Sequence, residues 1–111
     1  DIVSYGKMIR YSEVFEKEGV NVNYLNELSG NKIAVETYER GVEDETLSCG
    51  TGVTGCALVY MELNELMDAE IEVETKGGQL SVKARREMNG SFDNIWLIGP
   101  AKHVFSGEIE L

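Results

Sequence analysis

The order of apolar and polar side chains divides the chain into segments of two different periods. Val20-Asn21-Val22-Asn23-Tyr24 alternates strictly, which in a strand puts Val20, Val22 and Tyr24 on one face and both asparagines on the other, away from the core. Ser29-Gly30-Asn31-Lys32 is turn chemistry, and Ile33-Ala34-Val35-Glu36-Thr37-Tyr38 follows with β-branched residues at alternate positions, so the two segments predict a hairpin. Glu70–Thr75 and Leu80–Arg85 alternate again on either side of Lys76-Gly77-Gly78-Gln79. A two-residue Gly-Gly loop there pairs Val73 with Val82, Ile71 with Ala84, Glu72 with Lys83 and Glu70 with Arg85. Apolar pairs then share one face and opposite charges the other. Phe92 to Ile98 reads as a further strand stopped by Gly99-Pro100, and Val104 to Leu111 as an edge strand.

Helical spacing marks two other stretches. Val3, Gly6, Ile9 and Arg10 predict a short helix within Val3 to Val14. Val53 to Met61 is apolar nearly all round, with charges returning only at Glu62 and Glu65, so a helix there is expected to be buried on most sides. It begins just after Cys49-Gly50-Thr51-Gly52, whose small residues let other groups approach the backbone.

Composition narrows the function classes. At 111 residues the chain has the length of one compact domain. Ten Lys and Arg against 20 Asp and Glu give a formal charge of −10, which argues against nucleic acid or an anionic membrane surface as partner. No apolar run is long enough to span a bilayer and no leader pattern opens the chain. The start at Asp1 without Met suggests a piece of something longer, so the missing leader carries little weight. Cys49 and Cys56 are too few for a disulfide framework and lack zinc-ligand spacing, which favours a reducing compartment. Seven residues apart on one helix they lie roughly 10 Å from each other, beyond disulfide reach.

Few residues offer chemistry. Cys49 enters a helix at its start, where the free N–H groups of Gly50, Thr51 and Gly52 form a local anion site that favours a thiolate. Alone, such a cysteine is more often a small packing residue, and Cys56 inside the apolar stretch is more so. Glu39-Arg40 at the end of a strand would ordinarily be a solvated turn. His103 is the single histidine and follows Gly99-Pro100 in an expected surface loop, so a serine-hydrolase triad has no convincing base. Cys-Gly-Thr-Gly lacks the lysine and spacing of a phosphate loop.

In combination and order these residues are specific. Tyr38-Glu39-Arg40-Gly41-Val42 followed by Glu45-Thr46-Leu47-Ser48-Cys49-Gly50-Thr51-Gly52-Val53 resembles the signature in the second half of diaminopimelate epimerases. Gly19-Val20-Asn21-Val22-Asn23-Tyr24, Gly77-Gly78-Gln79-Leu80, Leu97-Ile98-Gly99-Pro100-Ala101 and Val104-Phe105-Ser106-Gly107 are similar to that family as well. Between Arg40 and Cys49 the chain has one residue more than the commoner form, for which a bulge is expected. The family's first half, with its Cys-Gly-Asn-Gly motif, is absent.

The resemblance implies an α+β fold, an antiparallel, strongly curved sheet wrapped around one central helix from roughly Gly50 to Met67, with residues 1–111 forming the C-terminal domain of a two-domain epimerase. It implies conversion of LL- to meso-diaminopimelate without PLP or metal, by two cysteines of which this chain supplies Cys49. Gly50 and Thr51 are expected to offer N–H groups to the reacting carboxylate, Glu39 to stand near the reacting amino group, and Arg40 and Asn21 to recognise the distant end. The implied partners are diaminopimelate and the missing N-terminal half, in a cytoplasmic protein of lysine biosynthesis that is compatible with a homodimer. A related racemase or isomerase of the same fold, or a ligand-binding module without turnover, are the alternative readings.

Overall fold

The computed structural model describes residues 1–47, 49–101 and 103–111. Helix α1 spans Ile2–Arg10 and ends earlier than the predicted Val14. The Asp1 carboxylate caps it by accepting from the Val3 N–H at 3.1 Å and the Ser4 hydroxyl at 2.9 Å. Lys7 and Arg10 in the last turn suit the negative end of the helix dipole. Its Gly6 lies directly on the Tyr38 side chain, so the helix packs against the sheet at van der Waals distance.

Six strands follow: β1 (Val22–Glu27), β2 (Lys32–Glu39), β3 (Asp44–Thr46), β4 (Asp68–Thr75), β5 (Gly78–Arg86) and β6 (Phe92–Ile98). They form one open curved sheet in the order β1-β2-β4-β5-β6. β3 joins β2 outside that path. All pairs are antiparallel except β2 with β4, which run parallel over three residue pairs, so the expected curved sheet is mixed. β1 occupies one edge of β2, while the other edge is shared: β4 takes Lys32–Ala34 and β3 takes Thr37–Glu39. The sheet therefore parts at the middle of β2, and the chain between β3 and β4 is helix α2, Gly50–Leu63.

The core lies between α2 and the inner faces of β2, β4 and β5. Val53, Ala57, Tyr60 and Met61 of the helix meet Ile33, Val35, Ile71, Val73, Val82 and Ala84, all buried. Each large aliphatic chain contributes about 1.5–3 kcal/mol by leaving water. The Tyr60 hydroxyl donates to the Gly30 carbonyl at 2.8 Å, tying the helix to the β1–β2 turn.

Several expectations are corrected. α2 is buried on one side, not nearly all round: Gly55, Val59 and Leu63 face outward, because the sheet covers a single side of the helix. It stops at Leu63 instead of near Met67, where the Asn64 amide donates to the Tyr60 carbonyl and Glu65 takes φ 54°. In the β4–β5 hairpin the loop is Lys76-Gly77, and Thr75 opposes Gly78. Val73 therefore faces Leu80, Ile71 faces Val82, Glu70 faces Lys83 and Glu72 faces Ser81. Two features move the loop: Gly78 adopts φ 142°, and Gly77 is pinned by its N–H to the Leu47 carbonyl at 2.9 Å. The displacement keeps parity, so the apolar residues still share the core face. Arg85 instead holds Asp93 of β6 with two bonds, of 3.0 and 2.9 Å. The predicted final edge strand is not formed among residues 103–111, and Val104 and Phe105 are exposed. No helix among the described residues is long and apolar enough to cross a membrane.

Candidate active site at the start of helix α2

Cys49 is the N-cap of α2, with extended backbone angles, and its carbonyl accepts the first helical hydrogen bond from Val53 at 2.8 Å. Its thiol makes no cap bond and stands 3.4 Å from the Thr51 hydroxyl, half-buried. The N–H groups that open a helix have no partner within it, so they face the same space as the thiol. Gly50, Thr51, Thr54, Gly55, Leu58 and Leu97 line an open, mostly apolar groove that runs from this helix start along the uncovered side of α2. Cys56 is half-buried one face round, and burial pushes its thiol pKa up. The two thiols are both free, as their spacing requires. Ser48, part of the sequence signature, lies outside the described residues.

A second group gathers where β2 ends. Asn21, just before β1, accepts the Arg40 N–H on its Oδ1 at 2.7 Å. One Nη of Arg40 donates to the Glu18 carbonyl at 2.9 Å, and the side chain is otherwise exposed. Glu39 is half-buried at the last position of β2, on the same face as Val35 and Thr37 and hence on the α2 side of the sheet. The expected bulge between Arg40 and Cys49 is a tight turn followed by the short β3: the Glu43 N–H donates to the Glu39 carbonyl at 2.8 Å, with Gly41 at φ 92° and Glu43 at φ 59°.

Asn23 joins the two groups. The asparagines were expected to face away from the core, but Asn23 points inward and Tyr24 is the exposed residue, because β1 enters the sheet at Val22 in register with Tyr38. The Asn23 Oδ1 accepts the Thr37 hydroxyl at 2.7 Å and abuts the α-carbon of Gly52 in the first turn of α2. Thr37 is almost fully buried, and its partner across β3 is Thr46, whose hydroxyl oxygen is buried without a hydrogen bond. This polar row was not picked out from sequence. The signal available was Thr37 at an inward position in an otherwise aliphatic series.

The domain is a curved α+β unit with a cysteine at the N-cap position of its central helix and a guanidinium held at the neighbouring strand end. The diaminopimelate epimerase family model matches residues 4–104, and the chain belongs to that family. Curated relatives include the diaminopimelate epimerases of Flavobacterium psychrophilum, 41% identical over 98% of this chain and 42% of the relative, and of Archaeoglobus fulgidus, 43% identical over 100% and 36%. That of Chlorobaculum tepidum is 37% identical over 100% of this chain and 42% of its own length. The chain thus spans about two fifths of the length of the relatives it matches.

Proposed function

We propose that this chain is the C-terminal domain of a two-domain diaminopimelate epimerase and supplies one of two cysteines that invert an α-carbon of diaminopimelate, LL to meso, on the route to lysine. The observation that carries this reading is Cys49 at the head of a 14-residue helix with glycines at positions 50 and 52. The Cα–H bond breaks as a thiolate takes the proton, and its electron pair moves into the adjacent carboxylate as an enediolate-like charge. A thiol on the opposite face returns a proton to the carbon, so one thiolate and one thiol exchange states and nothing is oxidised. Helix N–H groups at Gly50 and Thr51 suit the carboxylate on which charge builds.

Glu39, on the α2 side of the sheet, faces the reacting amino group, while Arg40 and Asn21 take the distant amino-acid end. A guanidinium grips a carboxylate with two parallel bonds and so fixes which end of the substrate enters first. The second cysteine belongs to the remainder of the protein, whose placement against this domain completes the site in the cytoplasm. The test is α-deuteration of diaminopimelate in heavy water by the full-length protein. Label should appear with the wild type, vanish with Cys49→Ala, and be absent with residues 1–111 alone. Label from the isolated chain at the intact rate would refute the two-half mechanism.

A further inference from the structure

Both peptide N–H groups that flank the Arg40 α-carbon are held by side chains. Asn21 Oδ1 takes the Arg40 N–H at 2.7 Å, and Glu43 Oε2 takes the Gly41 N–H at 2.9 Å. Glu43, whose carboxylate reaches back to Gly41, adopts φ 59°, a region that residues with a β-carbon seldom occupy. Its N–H closes the turn on the Glu39 carbonyl, so Arg40 sits inside a loop pinned at both ends.

The same carboxylate is anchored to α1. Arg10 Nε lies 3.2 Å from each of its oxygens, with bonding geometry toward Oε2. The Tyr11 hydroxyl stands beside the carboxylate, although Oε1 makes no hydrogen bond of good geometry. The Tyr11 hydroxyl, the Gly41 N–H and Arg10 hold the Glu43 carboxyl below the usual carboxylate range, against an opposing effect of burial. Beyond it, Arg10 Nη1 donates to the Glu16 carbonyl at 3.2 Å and Arg40 Nη1 to that of Glu18 at 2.9 Å. Gly19, at φ 79°, passes so close to both side chains that a β-carbon there would lie 2.6 Å from Arg40 Cδ and 2.8 Å from Arg10 Cζ.

We propose that Glu43 is a positioning residue for Arg40, which, through the Gly41 amide on one side and the α1 anchor on the other, aims the guanidinium for the distant carboxylate of the substrate. Arginine has five N–H donors, and the Glu18 carbonyl engages one, so a fork remains for that carboxylate. The inference rests on the epimerase reading above, and its two measurements separate the two ideas.

The informative variant in the full-length protein is Glu43→Gly, which deletes the carboxylate while supplying the residue that most readily takes φ 59°. KM for diaminopimelate should rise about tenfold with kcat within about twofold, the pattern of lost binding without lost chemistry. Glu43→Gln keeps an acceptor for the Gly41 N–H and should restore most of the affinity. In parallel, amide hydrogen exchange at Gly41 in this chain should quicken in Glu43→Gly and stay near wild type in Glu43→Gln. An unchanged KM, or a fall in kcat at constant KM, overturns the proposal. Wild-type protein that fails to turn over diaminopimelate refutes the function, and unchanged Gly41 exchange then refutes the positioning on its own.

Discussion

The amide oxygen of Asn23 occupies the place where a β-carbon at position 52 would have to stand. The start of α2 is thereby fitted to β1 through an atom that the buried Thr37 hydroxyl also holds. Gly52→Ala must displace that amide. Overpacking of this kind costs about 1–3 kcal/mol, only partly offset by the roughly 1 kcal/mol by which alanine favours a helix over glycine. Asn23→Ala leaves the Thr37 hydroxyl without its partner, at about 1–3 kcal/mol. Because one atom causes both effects, Gly52→Ala should be milder by about 1 kcal/mol in an Asn23→Ala background. Denaturant unfolding of the four chains measures this coupling, and strictly additive effects would remove the contact from the account.

Helix α1 depends on a closer contact still. A β-carbon on Gly6 would overlap the Cβ and ring of Tyr38, and Tyr38 is fixed in a strand. Gly6→Ala should lift α1 from the sheet at a cost of about 2 kcal/mol or more, exposing the Tyr38 ring. Near-ultraviolet dichroism and limited proteolysis before Gly19 report that release, and a variant as resistant as wild type contradicts the packing.

The two thiols should differ in reactivity although they share a helix. Burial raises the Cys56 pKa and lowers its thiolate fraction, while Cys49 stands at the open helix start. A limiting dose of iodoacetamide at neutral pH should label Cys49 first, as read by peptide mass mapping of the folded chain. Faster labelling of Cys56 would falsify the placement of Cys49.

Acid should weaken the fold through two carboxylates. Arg85 holds Asp93, and the Tyr11, Gly41 and Arg10 groups hold Glu43, below the usual range. A depressed folded pKa stabilises the protein above the unfolded values of about 3.9 for Asp and 4.3 for Glu. That contribution disappears as pH falls through the lower folded values. Stability should therefore be nearly flat from pH 7 to about 5 and decline below about 4.5, less steeply in Glu43→Gln. An identical slope in that variant contradicts a role for Glu43.

Arg40→Lys in the full-length protein replaces a planar fork with a point charge, so KM for diaminopimelate should rise by at least about tenfold. Wild-type kinetics in that variant would take Arg40 out of the proposed site.

Much of the fold was legible because period and burial coincide in β2, β4 and β5, where Ile33, Val35, Ile71, Val73, Val82 and Ala84 alternate into the core. β1 misled because its inward asparagine binds Thr37 rather than water, a satisfaction that only the partner strand reveals. The uncovered side of α2 was invisible for a similar reason, since Val59 and Leu63 are apolar whether or not a surface meets them. The hairpin register was missed by one loop position, because Gly77 is pinned by a residue thirty positions earlier in the chain, Leu47. The position of Cys49 at the head of a helix was legible from its glycine neighbours, whereas Glu43 was passed over because a glutamate in a surface turn has no periodic signal.

The parallel seam between β2 and β4 also bears on how the molecule folds. Three residue pairs, the Glu72 N–H to Asn31 carbonyl bond and the Lys32–Glu74 ion pair of 2.9 Å unite the two ends of the sheet along this line, which closes a loop of about 40 residues. Loop closure of that length costs about 3 kcal/mol of chain entropy, while the β1–β2 and β4–β5 hairpins on either side close locally. The hairpins are therefore expected to form early, with their docking through α2 as the slow step. Unfolding should begin along the same line, so that β2 and β4 part before either hairpin opens.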